Sequence, residues 1–278
     1  MCSPEAAARQ PLREIRVVRR ELGRIRRTSI RRRERGADTL LGMRFIAGLW
    51  RLATAALCFA ATYEAWTIAN RWAYFTFQTG FVLGIVMLWA GAASLLRGIQ
   101  PPAWLKGCLT LYAVIAALVA FFLMPADNPS YVPQILGIMT NTMLHRIVPV
   151  MAIVDFLLFD EHRRFSWHYT LSWLAYLPLY MAFILIRAQL WPHSGPAAGG
   201  DPYPYAFIDV GKLGWPPFAL HAFELAVGFF VVGLALFMIH RIAPHRAVHP
   251  CPPRPPRPAP LPTCCRSGVP RAPGPPRA

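Results

Sequence analysis

Lysine is almost missing from this chain: Lys106 and Lys212 stand beside 27 arginines. Acidic side chains are also scarce, 13 in 278 residues, which leaves a formal charge of +16. No glycine-rich phosphate loop, Walker sequence or Gly-x-Ser-x-Gly elbow occurs, so the familiar nucleotide and serine-hydrolase signatures are absent. The six cysteines, at 2, 58, 108, 251, 264 and 265, lack the CxxC or His-linked spacing of a zinc or iron–sulfur site. Neither a metal nor a cofactor is expected. Internal repeats are not visible, and neither are the paired broken helices of inverted-repeat transporters. A cleavable signal peptide is not expected, because the first apolar run is too long and lies too far in. Cys2 has no apolar stretch before it, which argues against a lipoprotein signal.

What the chain has in abundance is apolar sequence: 55% of its residues, with a mean hydropathy of +0.35. Six apolar runs stand out, at about Phe45–Trp66, Trp72–Leu96, Leu105–Met124, Ile135–Phe159, Trp167–Ile186 and Trp215–His240. Each suits a bilayer crossing, which takes roughly 20 residues. Only helices and closed barrels satisfy their backbone in lipid, and these runs lack the alternation of barrel strands. The expected fold is all-α: a polytopic bundle of six transmembrane helices over residues 43–242. A basic tail, 1–42, and a Pro/Arg-rich tail, 243–278, flank it as disordered segments.

Charge placement sets the expected orientation. Thirteen arginines lie in the first 44 residues and seven more run from Arg241 to the end. Arg97, Lys106, Arg163 and Arg164 fall on the same side, against Arg71, Arg187 and Lys212 on the other. By the positive-inside rule both termini are cytoplasmic, in an inner or plasma membrane. Within the first tail, Leu12, Ile15, Val18, Leu22 and Ile25 recur at helical spacing among basic residues, a pattern that suits lipid-surface contact. Membrane lipids, not nucleic acid, are the expected partners. A plainer alternative makes Met43 the true start, the arginine-rich stretch being what upstream GC-rich codons translate into. Trp66, Trp72, Trp104, Trp167, Trp173, Trp191 and Trp215 sit near span ends as an interfacial belt. Cys58 and Cys108 fall inside spans as packing residues.

The polar residues inside the spans carry the functional reading. Ionisable groups at membrane depth cost about 2.5–3.5 kcal/mol on insertion scales, so they have a partner or a task. Thr76 and Gln78 lie early in the second run, Asn141, His145 and Arg146 in the fourth, His221 and Glu224 in the sixth. The expected topology brings all of these into one half of the bundle, as a shared polar pocket. Asn141, His145 and Pro149 are four apart and share a helix face, and Pro149 frees the carbonyl of His145 and kinks the helix. Glu224 and His221 are placed to ion-pair with Arg146, while Arg51 and Asp155 either pair with each other or snorkel to the interface. Asp209 is expected to cap or order the long loop 187–214, which has the length of a lid.

Three motifs in order, Tyr74-Phe-Thr-Phe-Gln78, Asn141-x3-His145-x3-Pro149 and Tyr203-Pro-Tyr-Ala-Phe-Ile-Asp209, resemble the bacterial Pr-six-Pr family of six-span membrane proteins. That family is distantly similar to the eukaryotic androgen-induced membrane proteins. The resemblance covers roughly residues 45–240, and Thr79-Gly80 departs from it where a Ser-Asn pair is expected. It implies a threonine hydrolase that cleaves fatty acid esters of hydroxy fatty acids, with Thr76 as nucleophile and His145 as base. Gln78, Asn141, Arg146, His221 and Glu224 are then candidate substrate contacts. The alternative is a non-enzymatic membrane protein, either a small-molecule transporter or a structural or binding component. Depth is the test of the enzyme reading: at 1.5 Å per residue Thr76 lies about 5 Å into its run and His145 about 15 Å into its own.

Overall fold

A computed structural model describes residues 39–124, 133–195 and 200–243. The basic and proline-rich tails therefore fall almost wholly outside the described residues, as does the turn at Ala126–Ser130. Six helices are long and apolar enough to cross a membrane: α1 Thr39–Thr67, α2 Phe75–Leu96, α3 Ala103–Leu123, α4 Thr140–Leu158, α5 Tyr169–Leu190 and α6 Trp215–Ile242. The chain is a multi-pass, all-α membrane protein. The only strands among the described residues are two-residue stubs. An even number of spans puts the start of α1 and the end of α6 at one end of the bundle, here the termini end. The loop between α5 and α6 closes the far end.

Helix α3 is the centre of the bundle, packed on α2, α4 and α6. Helix α6 is the least buried of the six. Lipid tails give no hydrophobic drive between helices, so close approach through small residues holds such bundles together. Here α1 and α2 meet through glycines: a Cβ on Gly91 would come within 2.8 Å of Leu52, and one on Gly48 within 2.6 Å of Leu95. Gly107 opens the slot for Phe165 and Trp173, whose atoms would lie 2.5 and 2.8 Å from an added Cβ. Trp173 is thus fully buried and not part of an interfacial belt. It donates to the Trp104 carbonyl at 3.0 Å while its own carbonyl accepts from the Tyr112 hydroxyl at 2.7 Å. Cys58 and Cys108 are buried packing residues, as expected.

Two boundaries differ from the sequence expectation. The first helix already runs from Thr39, ahead of Met43. The fourth begins at Thr140, because residues Gln134–Ile135 and Ile138–Met139 pair as antiparallel strands of a tight hairpin. Leu136 and Gly137 make its turn with φ of 53° and 77°, the left-handed pair that a two-residue type I′ connection requires. Apolar Ile135, Leu136 and Ile138 imitate the start of a span in composition while the backbone turns back on itself.

At the termini end the Arg51–Asp155 pair forms, Nε to Oδ1 at 2.7 Å. It belongs to a larger buried cluster than the sequence suggested. Arg51 also reaches Asp160 at 3.1 Å and the Ser94 hydroxyl at 2.8 Å, and Lys106 bridges Asp155 and Asp160. The formal charges of these two cations and two carboxylates cancel, which is the condition for burying them.

Candidate functional site

At the far end Thr76 is the second residue of α2 and His145 the sixth of α4. Both are buried, and both line one cavity of about 40 Å³. The late start of α4 narrows the depth gap from about 10 to about 6 Å: His145 lies about 8 Å into its helix and Thr76 about 2 Å into its own. The rest of the lining is apolar and comes from every direction. Ile115, Ala116 and Val119 of α3, Tyr180 and Met181 of α5, and Phe229 of α6 contribute to it. The chamber is therefore oily with two catalytic-type side chains, and not the broadly hydrophilic pocket expected.

The backbone around His145 is unusual. Met143–Ile147 is wound as a π-helix, with the Val148 N–H bonded to the Met143 carbonyl five residues back. Single π turns inside α-helices are frequent at functional sites. Here the wider turn falls where Pro149 removes the donor that an α-helix would aim at the His145 carbonyl. The ring Nδ1 lies 3.1 Å from the Asn141 carbonyl oxygen, which can only accept. In the neutral ring this makes Nδ1 the protonated nitrogen and gives the basic lone pair to Nε2. Asn141 thus acts on the site through its backbone, by fixing the histidine tautomer.

Tyr205 is the site residue that residue-type reasoning passed over. It lines the cavity from the loop between α5 and α6 and meets the Thr76 hydroxyl. Burial pushes its phenol above the ordinary value, against the opposing pull of the Thr76 hydrogen bond. Its ring is held edge-on by Tyr74 at 5.4 Å and stacked on Phe207 at 5.2 Å. Its only signal in the sequence was its place in the Tyr203–Asp209 motif.

The loop that carries Tyr205 is tied down at both sides. His221 Nδ1 donates to the Phe207 carbonyl at 2.8 Å. Asp209 accepts from the Lys212 N–H at 3.1 Å and so caps the one-turn helix Val210–Leu213, as expected. Arg187 donates to the Pro202 carbonyl at 3.3 Å, and Asp201 pairs with Lys212. A second anchor was not foreseen: buried Glu64 bonds Arg71 at 3.0 Å and the Thr140 hydroxyl at 3.0 Å. That link fixes the start of α4 beside the end of α1, next to the mouth of the site.

Comparison with family models, curated proteins and solved structures finds no match for this chain. Gln78 donates to the Trp72 carbonyl at 2.7 Å and accepts from the Tyr176 hydroxyl, which is a structural tie. Arg146 and Glu224 are both exposed, and no ion pair joins them or His221 among the described residues. The physical reason is facing: Arg146 turns outward as its neighbour His145 turns in, while Glu224 lines a separate groove with His221.

Proposed function

We propose that the far-end cavity is an acyl-transfer site acting on lipid esters, with Thr76 as nucleophile and His145 as general base. The observation that carries this reading is the convergence of Thr76, His145 and Tyr205 on one apolar cavity. A threonine hydroxyl attacks a carbonyl only when a base takes its proton, and the Nε2 lone pair of His145 suits that role. Attack forms the bond from Thr76 Oγ1 to the ester carbon as the proton passes to Nε2. The oxyanion then falls to the Tyr205 hydroxyl and the first N–H groups of α2, donors aimed by a helix N-terminus. Collapse breaks the ester C–O bond, and the alcohol leaves with the proton from Nε2. Water activated by the same nitrogen cleaves the acyl-threonine, releases the fatty acid and restores Thr76.

The resemblance noted in the sequence supports branched fatty acid esters as the substrate class. Arginine-rich tails at the termini end favour a plasma-membrane protein with that end cytoplasmic, so the active cavity opens near the extracytoplasmic surface. The test is turnover of a branched fatty ester by protein in lipid nanodiscs. Thr76→Ala and His145→Ala should each abolish it without loss of folded protein, while Thr76→Ser retains part. Solute flux that survives Thr76→Ala would favour a transporter instead. Changes confined to abundance would favour a structural component.

A further inference from the structure

A groove of about 320 Å³ runs along the lipid-facing seam between α3 and α6. Ile115, Val119, Phe207, Leu225 and Phe229 line both this groove and the Thr76/His145 cavity, so the two share a wall. The inner cavity exceeds the roughly 10–15 Å³ that one water needs, yet it is far too small for a long chain. The groove supplies the missing room. Gly228 forms part of its floor, and a Cβ there would meet nothing within 4 Å.

Two polar groups face this otherwise apolar groove, and both are acceptors. Glu224 is exposed on its wall. His221 donates through Nδ1 to the Phe207 carbonyl, so its Nε2 presents a lone pair. A carboxylate end on a bound chain would be repelled by Glu224, while a hydroxyl would find two acceptors.

We infer that the groove is a lateral binding site for one arm of a single-chain amphiphile whose polar group there is a hydroxyl, not a carboxylate. The arm enters from the membrane between α3 and α6, and the side chains that line both spaces set it beside the Thr76 cavity. This deepens the ester-hydrolysis reading and rests on it for what happens to the bound molecule, though not for the binding itself.

The test is photolabelling of the full-length protein in nanodiscs with a long-chain alcohol carrying a diazirine, beside the matching fatty acid. Labelled peptides should map to 115–123 and 221–232, with the alcohol favoured over the acid and Glu224→Gln narrowing that preference. Gly228→Trp fills the groove. Displacing the contacts of two methylenes, at about 0.8 kcal/mol each, should lower labelling about tenfold. Val232→Trp serves as a second block, and gel filtration confirms that both variants fold. Labelling should survive Thr76→Ala. Uniform labelling around the bundle, indifference to both tryptophans, or equal labelling by the acid would overturn the inference. Groove labelling without ester turnover would instead uphold the groove and sink the hydrolase reading.

Discussion

In the proposed reaction Thr76 is a weak nucleophile made useful by its neighbours, and the most informative of these is Tyr205. Its replacement by Phe removes the phenol hydroxyl and little packing. Loss of a single oxyanion donor typically costs about 10²–10³ in kcat, so Tyr205→Phe should fall in that range with KM nearly unchanged. Because burial raises the phenol above its ordinary value, its contribution to stability is complete below about pH 10. It is lost as pH rises through the raised value. An unfolding series in alkaline buffer should show a drop in wild type that Tyr205→Phe lacks. At the other end of the bundle, Asp155 is fully buried between Arg51 and Lys106. Asp155→Asn leaves those cations short of one counter-charge, which costs about 3–5 kcal/mol when a buried pair is broken. The expected result is a much reduced yield of folded protein, measured by gel filtration after detergent extraction. At this scale the sequence was legible where chemistry is rare, as with His145 and Arg51. It was mute on Tyr205, because nothing local says where a loop tyrosine points. Trp173 misled for the opposite reason: its position near a span end matched a belt, and only the space left by Gly107 reveals it as core.

Helix α4 is where local winding and the candidate site meet. Pro149 removes a donor, and the π turn at Met143–Ile147 places His145 in the cavity. Pro149→Ala restores the N–H and permits an ordinary α-helical ladder, which would rotate the imidazole relative to Asn141. Turnover should therefore drop while the melting temperature stays level or rises, a split that a purely structural proline would not give. The seam of α1 and α2 makes a contrasting case. Gly91→Leu drives a side chain against Leu52 and the Gly48 carbonyl, 2.8 and 3.2 Å from the new Cβ. Overpacking of this kind costs about 1–3 kcal/mol, and a lowered melting temperature is the expected readout. Four of the six helices were legible to within about four residues, because lipid demands long apolar runs, while α1 begins six residues ahead of its expected start. The start of α4 was not legible, because apolar hairpin residues and apolar span residues look alike until the turn at Leu136-Gly137 is resolved.

The whole molecule is a bundle with two polar ends of different character. The termini end carries a charge-balanced cluster that ties α1, α2, α3 and α4 together. The far end carries the cavity under a loop pinned by His221, Asp209 and Arg187. Single cysteines placed next to Arg44 and Arg241 should react with a membrane-impermeant thiol reagent only after the membrane is opened, and one at Ser194 before it. The division itself was half legible: the sequence gathered polar residues toward one end, yet it merged His221 and Glu224 with Thr76 and His145. Only the packing of α6 against α3 separates the groove from the cavity.

The most direct measurement is to tag the proposed nucleophile with a phosphonylating probe, which leaves the threonine oxygen bonded to phosphorus as fluoride departs. Protein in nanodiscs is incubated with a lipid-like fluorophosphonate ester, digested and mapped by mass spectrometry. The account predicts a covalent adduct on Thr76 that disappears in Thr76→Ala and is strongly diminished in His145→Ala. Ester turnover that persists with the adduct on another residue, or with none, would contradict it.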